Sequence, residues 1–185
     1  MMQRQLLGPL GTEKYIDYIN GIRESGEHLL DLISDILDMS KIEAGRYELD
    51  LEIFSLNDLV HTSTHMMEGR AMDAGVKLAH SLPEDDIQII ADRRAVMQII
   101  LNLLSNAVKF TGNNGRVHLS CSSRDSSVVI KIEDTGVGIP AHKLERITNP
   151  FEQAASHFTR DHEGSGLGLS ITKDLVELHG GQLHI

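Results

Sequence analysis

The stretch NLLSNAVKFT, Asn102 to Thr111, decides the fold that this sequence predicts. It ends a longer run, RRAVMQIILNLLSNAVKFT, that is apolar at most other positions. Within the run, polar side chains recur at spacings of four, four and three, which places them on one face of a helix. They are Gln98, Asn102, Asn106 and Lys109. A helix that is apolar on most sides lies in a core, where unpaired polar groups are costly. We therefore expect the polar face to line a wet or ligand-filled cavity.

Length and composition limit the class of protein. The 185 residues, 41% of them apolar, suffice for one domain and an appendage. A formal net charge of −10 argues against a nucleic-acid partner. A single cysteine, Cys121, allows no internal disulfide and fits a reducing compartment. No apolar run reaches the roughly 18 residues of a membrane span, and no signal peptide is visible. We expect a cytosolic region that meets a membrane, if at all, only through parts of the protein outside this sequence.

The N-terminal part has the pattern of packed helices. From Thr12 to about Ala44 there is no proline, and the seam residues alternate steps of four and three. The seam comprises Tyr15, Ile19, Ile22, Gly26, Leu29, Ile33, Ile36 and Ser40. Thr12 is a suitable N-cap region and Gly45 a suitable stop, while GPLG at residues 8–11 separates off the end of an earlier helix. Residues 1–46 are thus predicted to be a partial antiparallel helical hairpin that dimerises as a four-helix bundle.

Residues 47–185 mix helical and strand patterns, which predicts an α+β domain. The expected architecture is a two-layer α/β sandwich, with helices over one face of a mixed sheet. Strand-like segments are YELDLEIF, VKLAHSL, IQIIA, GRVHLSCSS and SVVIKIED, and GGQLHI begins a further strand. PEDD is expected to form the turn between the second and third segments, and the fourth and fifth are expected to form a hairpin across Arg124 and Asp125.

Two glycine-rich stretches have the chemistry of a nucleotide site. In EDTGVGIP, glycines 136 and 138 let the backbone approach a flat ligand, and the Asp134 carboxylate can accept a hydrogen bond from an amine such as that of adenine. In EGSGLGLS, glycines 164, 166 and 168 lead into a helix whose positive end suits an anion. There is no Walker-type loop, and GSGLG lacks the dinucleotide-binding spacing. Either stretch alone is more often an ordinary turn.

The polar face of the opening helix complements these loops. Asn106 offers a neutral oxygen that suits Mg²⁺, a cation that keeps water and phosphate as its other ligands. Asn102, one turn earlier, can hydrogen-bond the same phosphate and water cluster, and Lys109 adds a positive charge. The alternative is that both asparagines cap neighbouring backbone groups while Lys109 extends its amine into solvent.

Together, the ordered motifs resemble the ATP-binding domain of sensor histidine kinases, the HATPase_c or GHKL domain of Bergerat fold. NLLSNAVKFT resembles the N box, DTGVGIP the G1 box, PFEQ (Pro150 to Gln153) the F box and GSGLGL the G2 box. SGEHLLDLISDILDMSKIEAG resembles the second helix of the family's HisKA-type dimerisation and phosphotransfer hairpin. The resemblance covers nearly the whole chain.

The resemblance implies a role for each matching residue. Asp134 would recognise the adenine amine in a pocket shaped by Gly136 and Gly138. Asn106 would hold Mg²⁺, with Asn102 and Lys109 near the phosphates. Residues from about 140 to 165 would form a mobile lid over ATP, anchored by packing of Phe151. Gly164, Gly166 and Gly168 would hinge the lid and contact phosphates, and Ser165 and Leu167 would complete the nucleotide-binding residues.

The resemblance also implies the reaction. Hydrolysing relatives carry Glu one turn before the metal-binding Asn, whereas this chain has Asn102, which cannot accept a proton near neutral pH. We therefore expect transfer of the ATP γ-phosphoryl to a histidine, then to a response-regulator receiver domain in two-component signalling. The alternatives are a degenerate kinase that serves as a dimeric docking platform for the response regulator, and a chaperone-like or topoisomerase-like ATPase.

One departure from the family concerns the phosphorylated histidine. The family places it in an H box on the first hairpin helix, and nothing similar precedes Thr12. The first histidine, His28, falls in the second helix. We therefore expect the acceptor to lie upstream of this chain, and no catalytic residue is predicted within it. His61 and His65 have a spacing that zinc can use, but no third ligand is suggested.

Overall fold

The computed structural model describes residues 12–124, 127–152 and 165–185. The elements in chain order are α1 (Glu13–Glu43), β1 (Leu51–Ser55), α2 (Leu56–Asp73), β2 (Lys77–Ser81), β3 (Gln88–Asp92), α3 (Arg93–Phe110), β4 (Arg116–Arg124), β5 (Ser127–Asp134), α4 (Ala141–Leu144) and α5 (Gly168–Leu178). The chain divides into two compact units, Met1–Arg46 and Tyr47–Ile185. None of the helices in the described ranges has the length and hydropathy needed to cross a bilayer.

The first unit contains the long helix α1, which starts directly after Thr12 as the sequence predicts. It ends at Glu43, two residues before Gly45, whose φ of +62° is easily adopted by glycine. The Gly45 N–H donates to the Ile42 carbonyl, and the Arg46 N–H donates to the Lys41 carbonyl. These two bonds form a Schellman motif, which satisfies carbonyls that the helix end would otherwise leave unpaired.

The apolar seam of α1 is exposed within this unit. Large apolar side chains that remain exposed include Tyr15, Tyr18, Ile22, Leu29, Leu30, Ile33, Ile36 and Leu37. A helix with such a face gains stability only when another surface covers it. The first arm of the predicted hairpin, within residues 1–11, lies outside the described residues, so the hairpin and its dimerisation stay predictions.

The strands of the second unit form a mixed arrangement, as expected. β1 pairs with β3 in antiparallel register, with Ile53 opposite Ile90. In a separate three-stranded sheet, β4 pairs with β2 in parallel and with β5 in antiparallel register. The predicted pairing of β4 with β5 is confirmed, although residues 125–126 of the turn lie outside the described residues. The predicted mixed sheet is confirmed in β2, β4 and β5, and β1 and β3 form a separate two-stranded sheet, because strands β2 and β3 each pair elsewhere and not with each other.

The last predicted strand is not formed. Residues 181–185 have no regular secondary structure, since no described strand pairs with them and a strand requires a partner for its backbone groups.

In the second unit, α2 and α3 pack against the strands and α5 packs against α3, so the predicted two-layer α+β class is confirmed. Helix α3 is central: it contacts α2, α5 and four of the five strands. The large side chains that are fully buried include Leu56, Leu59, Ile100, Leu104, Leu119, Ile171 and Leu175. Each contributes about 1.5–3 kcal/mol by leaving water. The core therefore fixes α3, and with it the polar face that NLLSNAVKFT presents.

The starts of α2 and α3 are capped by side chains. The Ser55 hydroxyl accepts a hydrogen bond from the Asp58 N–H at 3.0 Å, which confirms the predicted cap. The Asp92 carboxylate caps α3 by accepting from the N–H groups of Arg94 and Ala95. Its other oxygen accepts from the Asp50 N–H at 3.1 Å, so one side chain joins the start of α3 to the segment before β1.

Candidate functional site

The polar face of α3 meets the beginning of α5. Asn102, Asn106 and Lys109 are all half-buried along this face. The Asn102 amide donates to the Gly168 carbonyl at 3.3 Å and lies 3.5 Å from the Thr172 hydroxyl. Asn102 therefore bonds a backbone carbonyl of a neighbouring helix, a contact that the alternative interpretation allows, and it joins two elements that are distant in sequence.

The other two polar residues of this face have different surroundings. Within the described residues no hydrogen bond engages the Asn106 amide, which leaves its oxygen able to take a ligand. The Lys109 amine lies 5.2 Å from the centre of the Phe110 ring, within the range of a cation–π interaction. This contact holds the Lys109 charge near the last turn of α3.

The end of β5 is fastened to the last turn of α3. The Asp134 carboxylate accepts a hydrogen bond from the Gly136 N–H at 2.8 Å, and the Val137 N–H donates to the Phe110 carbonyl at 3.3 Å. A Cβ at Gly136 would overlap the Phe110 carbonyl oxygen and lie 2.8 Å from the Asp134 carboxylate. Only glycine fits this close approach, which brings Asp134 to the end of α3 that carries Lys109.

Position 138 requires glycine for a different reason from position 136. A Cβ there would meet no atom within 4 Å, but its φ is +67°. Side chains rarely adopt this backbone conformation, so Gly138 turns the loop without packing against it.

The predicted F box and G2 box contact each other through their backbones. The Phe151 N–H donates to the Gly166 carbonyl at 3.0 Å. Gly166 has a φ of +71°, and a Cβ there would lie 2.9 Å from the Phe151 carbonyl carbon. The Phe151 side chain is 66% exposed among the described residues, so its packing role stays a prediction. Gly164 lies outside the described residues.

The start of α5 has features of an anion site. Leu167, at the N-cap position, supplies no side-chain hydrogen bond to the first turn. The Ser165 hydroxyl accepts from the Leu167 N–H at 3.1 Å, which shapes the approach to the helix. The Leu167 side chain is fully buried, so only its backbone can face a ligand. The first N–H groups of a helix carry partial positive charge, which favours an anion there.

Direct contacts therefore link most of the described site residues. Asn102 touches Gly168, the end of α3 touches the loop after Asp134, and Phe151 touches Gly166. Gly168 in turn follows Leu167 and Ser165 along the chain. The arrangement offers the Asp134 carboxylate and the Lys109 amine at the last turn of α3, and the Asn102 amide beside the N-terminus of α5.

Sequence reasoning missed one contact between the two helices of the site. At the ends of α3 and α5 away from the Asn102–Gly168 bond, the Asp92 N–H donates to His179 Nε2 at 3.1 Å. Burial would raise the pKa of the Asp92 carboxyl, but hydrogen bonds from three backbone N–H groups outweigh it, so this pKa lies below its ordinary value. The N-cap position of Asp92 could have been found from its place directly before the apolar run. The contact with His179 had no local signal.

Comparisons with known proteins agree with this geometry. Residues 91–185, about half of the chain, match the family of histidine kinase-, DNA gyrase B-, and HSP90-like ATPases. The chain is 44% identical over 185 residues to the histidine protein kinase DivJ of Caulobacter vibrioides, which covers 100% of this chain and 31% of DivJ. The chain thus spans less than a third of that relative's length.

Two solved structures resemble the chain closely. One is full-length ShkA in complex with AMPPNP, with a TM-score of 0.77 and 33% identity over 97% of this chain and 37% of that one. The other is the histidine kinase ThkA in complex with the response regulator protein TrrA, with a TM-score of 0.67 and 25% identity over 97% of this chain and 48% of that one.

Proposed function

This chain belongs to the histidine kinase-, DNA gyrase B-, and HSP90-like ATPase family, and we propose that it is the catalytic ATP-binding region of a sensor histidine kinase. It transfers the γ-phosphoryl of ATP to a histidine outside these 185 residues, for relay to an aspartate of a response regulator. The observation that carries the proposal is the bond between Asn102 and Gly168, which joins the N-box helix to the G2 helix.

The adenine end of the site is formed by the loop after β5. The Asp134 carboxylate accepts one hydrogen bond from the Gly136 N–H. Its remaining lone pairs accept a hydrogen bond from the adenine amine. Gly136 and Gly138 keep this loop thin, so that the flat base approaches the backbone. The bond from Val137 to Phe110 holds the loop against α3 and fixes the distance between base and phosphates.

The phosphate end is formed by α3 and the start of α5. Lys109 and the N–H groups at the start of α5 oppose the phosphate charge, and Asn102 adds a hydrogen-bond donor. Ser165, Gly166, Leu167 and Gly168 supply backbone that lies close to the phosphates. Such groups act by positioning and charge neutralisation, which is where most of the catalysis of phosphoryl transfer originates.

Mg²⁺ suits the donor set at Asn106. No group of three or more His, Cys, Asp or Glu side chains within the described ranges could hold a metal ion. A cation here must therefore take most of its ligands from phosphates and water, as Mg²⁺ does. When bound, Mg²⁺ would be held by the Asn106 amide oxygen and would supply charge neutralisation at the phosphates.

The lid is the segment between Pro140 and Ser165. The bond between Phe151 and Gly166 joins the middle of this segment to the residue that follows it. The positive φ of Gly166 makes it a suitable hinge, because glycine tolerates large backbone changes. Gly164 shares this hinge, and packing of Phe151 secures the closed lid.

ATP hydrolysis is not the expected reaction, because Asn102 occupies the position at which the hydrolysing relatives carry a general base. The degenerate-kinase alternative is not favoured. All four nucleotide motifs are intact, and relatives about 40% identical over the full chain are named histidine kinases.

Two protein partners follow from the proposal. The exposed seam of α1 pairs with a second copy of the chain as a four-helix bundle, because bundle formation buries those side chains. The other partner is a response-regulator receiver domain, supported by the similarity to ThkA, whose structure was solved with a response regulator protein.

Calorimetric titration with Mg–ATP tests the nucleotide site. The wild-type chain binds in the micromolar to low-millimolar range, and Asn106→Ala reduces affinity in Mg²⁺ more than in EDTA, because it removes a ligand of the metal. Gly69→Ala, on exposed α2 surface, serves as the matched control. A wild-type chain that binds no nucleotide at millimolar concentration contradicts the proposal.

A phosphorylation assay tests the reaction itself. The chain, extended by a helix that carries the family's H box, is incubated with γ-labelled Mg–ATP. Acid-labile label on the added histidine supports phosphoryl transfer to histidine. A folded, dimeric, ATP-binding protein that releases phosphate steadily and labels no histidine supports the ATPase alternative instead.

A further inference from the structure

His179 makes a contact that the nucleotide motifs do not explain. It is the C-cap residue of α5, and its Nε2 accepts a hydrogen bond from the backbone N–H of Asp92, the N-cap residue of α3. The other ring nitrogen, Nδ1, lies 2.7 Å from the Leu175 carbonyl. A carbonyl only accepts, so Nδ1 carries the proton and Nε2 is the acceptor. The ring is therefore oriented by its own helix and bonded to the neighbouring one.

The side chain of His179 is not required to end its helix. Gly180 has a φ of +72°, its N–H donates to the Glu177 carbonyl, and the Gly181 N–H donates to the Val176 carbonyl. This is a complete Schellman motif, like the one at Gly45. The imidazole thus acts between helices and not within α5.

Helices α3 and α5 contact each other at two points, and the length of helix between these points is nearly the same in both. Ten residues separate Asp92 from Asn102, and eleven separate Gly168 from His179, or about 15 Å and about 17 Å of helix. Because Asn102 contacts Gly168 while Asp92 contacts His179, α3 and α5 run antiparallel. The nearly equal separations keep the helices in one register along their length.

We infer that His179 is a positioning residue for the nucleotide site. By bonding to Asp92, His179 fixes the register of α5 against α3. This register places the first turn of α5, about 15 Å along the helix from His179, opposite Asn102 and Asn106. The start of α5 lacks a side-chain cap, so its place depends on tertiary contacts such as this one. The inference rests on the proposed function, since it assumes that ATP phosphates bind at the start of α5.

Two substitutions separate the bond between helices from the bond within α5. In His179→Asn, the shorter side chain can still donate near the Leu175 carbonyl but cannot reach the Asp92 N–H. In His179→Gln, the longer amide oxygen can occupy the position of Nε2. His184→Asn removes an exposed histidine five residues later and serves as the control.

Calorimetry with Mg–AMPPNP measures the effect on the site. We expect His179→Asn to weaken affinity roughly 5- to 10-fold, a typical coupling between distant contacts, while His179→Gln stays within about twofold of wild type and His184→Asn is unchanged. Wild-type affinity in a folded His179→Asn, or equal losses in the Asn and Gln variants, overturns the inference.

Hydrogen exchange in the nucleotide-free chain gives a second test that does not depend on ATP. Faster exchange in His179→Asn at the Ile171 amide, which donates to the Leu167 carbonyl across the first turn of α5, with α2 amides unchanged, supports the positioning role. Unchanged exchange at that turn overturns it, and so does faster exchange that is uniform across the domain, which indicates a purely structural role. If the wild-type chain binds no nucleotide, the proposed function is wrong, but the exchange rates still show whether His179 positions α5.

Discussion

The Asn102 side-chain amide donates a hydrogen bond across 3.3 Å to the carbonyl of Gly168, a residue 66 positions later in the chain. The bond places the polar face of α3 against the first residue of α5. A Cβ at Gly168 would lie 3.8 Å from the Asn102 side chain, which is ordinary van der Waals contact. Packing against Asn102 therefore does not require glycine at position 168, and the proposed function assigns the requirement to close approach of phosphate.

Gly168→Ala is thus expected to separate stability from binding. The substitution should leave the free energy of unfolding unchanged or raise it by up to about 1 kcal/mol, because alanine favours the helix. It should lower Mg–ATP affinity, because the methyl group obstructs close approach of phosphate. Denaturant melts and calorimetry on the same preparation check both effects. A variant that loses stability yet binds ATP normally contradicts this account of Gly168.

Asn102→Ala should weaken both the domain and the site. It removes the bond to Gly168 and the contact with the buried Thr172, which costs about 0.5–1.5 kcal/mol of unfolding free energy. Nucleotide affinity should also fall, since α5 loses its fastening beside the phosphates. Lys173→Ala, on the exposed side of α5, is the control and should change neither quantity appreciably.

Gly136→Ala should destabilise the loop that carries Asp134. The added Cβ overlaps the Phe110 carbonyl oxygen, and relief requires the loop to move away from α3. Overpacking of this kind costs about 1–3 kcal/mol, and the shift should also reduce adenine binding. Gly69→Ala meets no neighbour in an exposed helix interior and should instead stabilise by about 0.5–1 kcal/mol. Equal stabilities of the two variants in urea melts would show that the loop adapts freely.

Stability should decrease as pH falls through the range in which His80 takes up a proton. Burial and then the charge of His61 lower the pKa of His80, Glu68 opposes them with a smaller effect, and His118 lowers the pKa least. Because the folded-state pKa lies below the unfolded value of about 6.5, the unfolded chain binds more protons in this window, and unfolding becomes easier as pH falls.

His80→Gln tests this pH dependence. The variant should lose part of the decline in unfolding free energy between about pH 8 and pH 5, the range around the ordinary histidine pKa. The rings of His61 and His80 lie 4.6 Å apart, so His61→Gln should reduce the decline as well. His184→Gln, which removes an exposed histidine near the C-terminus, is the control. Identical pH profiles for wild type and His80→Gln would assign the decline to other groups.

The sequence alone determined the features that arise from local periodicity and turn chemistry. The polar spacing in NLLSNAVKFT indicated a core helix with one polar face, and Thr12 and Gly45 bounded the first helix, because caps and backbone preferences act within a few residues. The alternation in the fourth and fifth strand segments predicted their pairing, because a short turn between two such segments forms a hairpin. Four ordered glycine and polar motifs then carried the family resemblance.

Only the tertiary structure decided which of these elements meet. Strands β2 and β3 follow each other in sequence but pair with different neighbours, because the edge that a strand joins depends on how its apolar face is buried. Asn102 could equally have capped its own helix, and His179 could have faced solvent, until the core set α5 beside α3. Contacts between residues 66 and 87 positions apart depend on the whole packed domain and leave no signal in the neighbouring sequence.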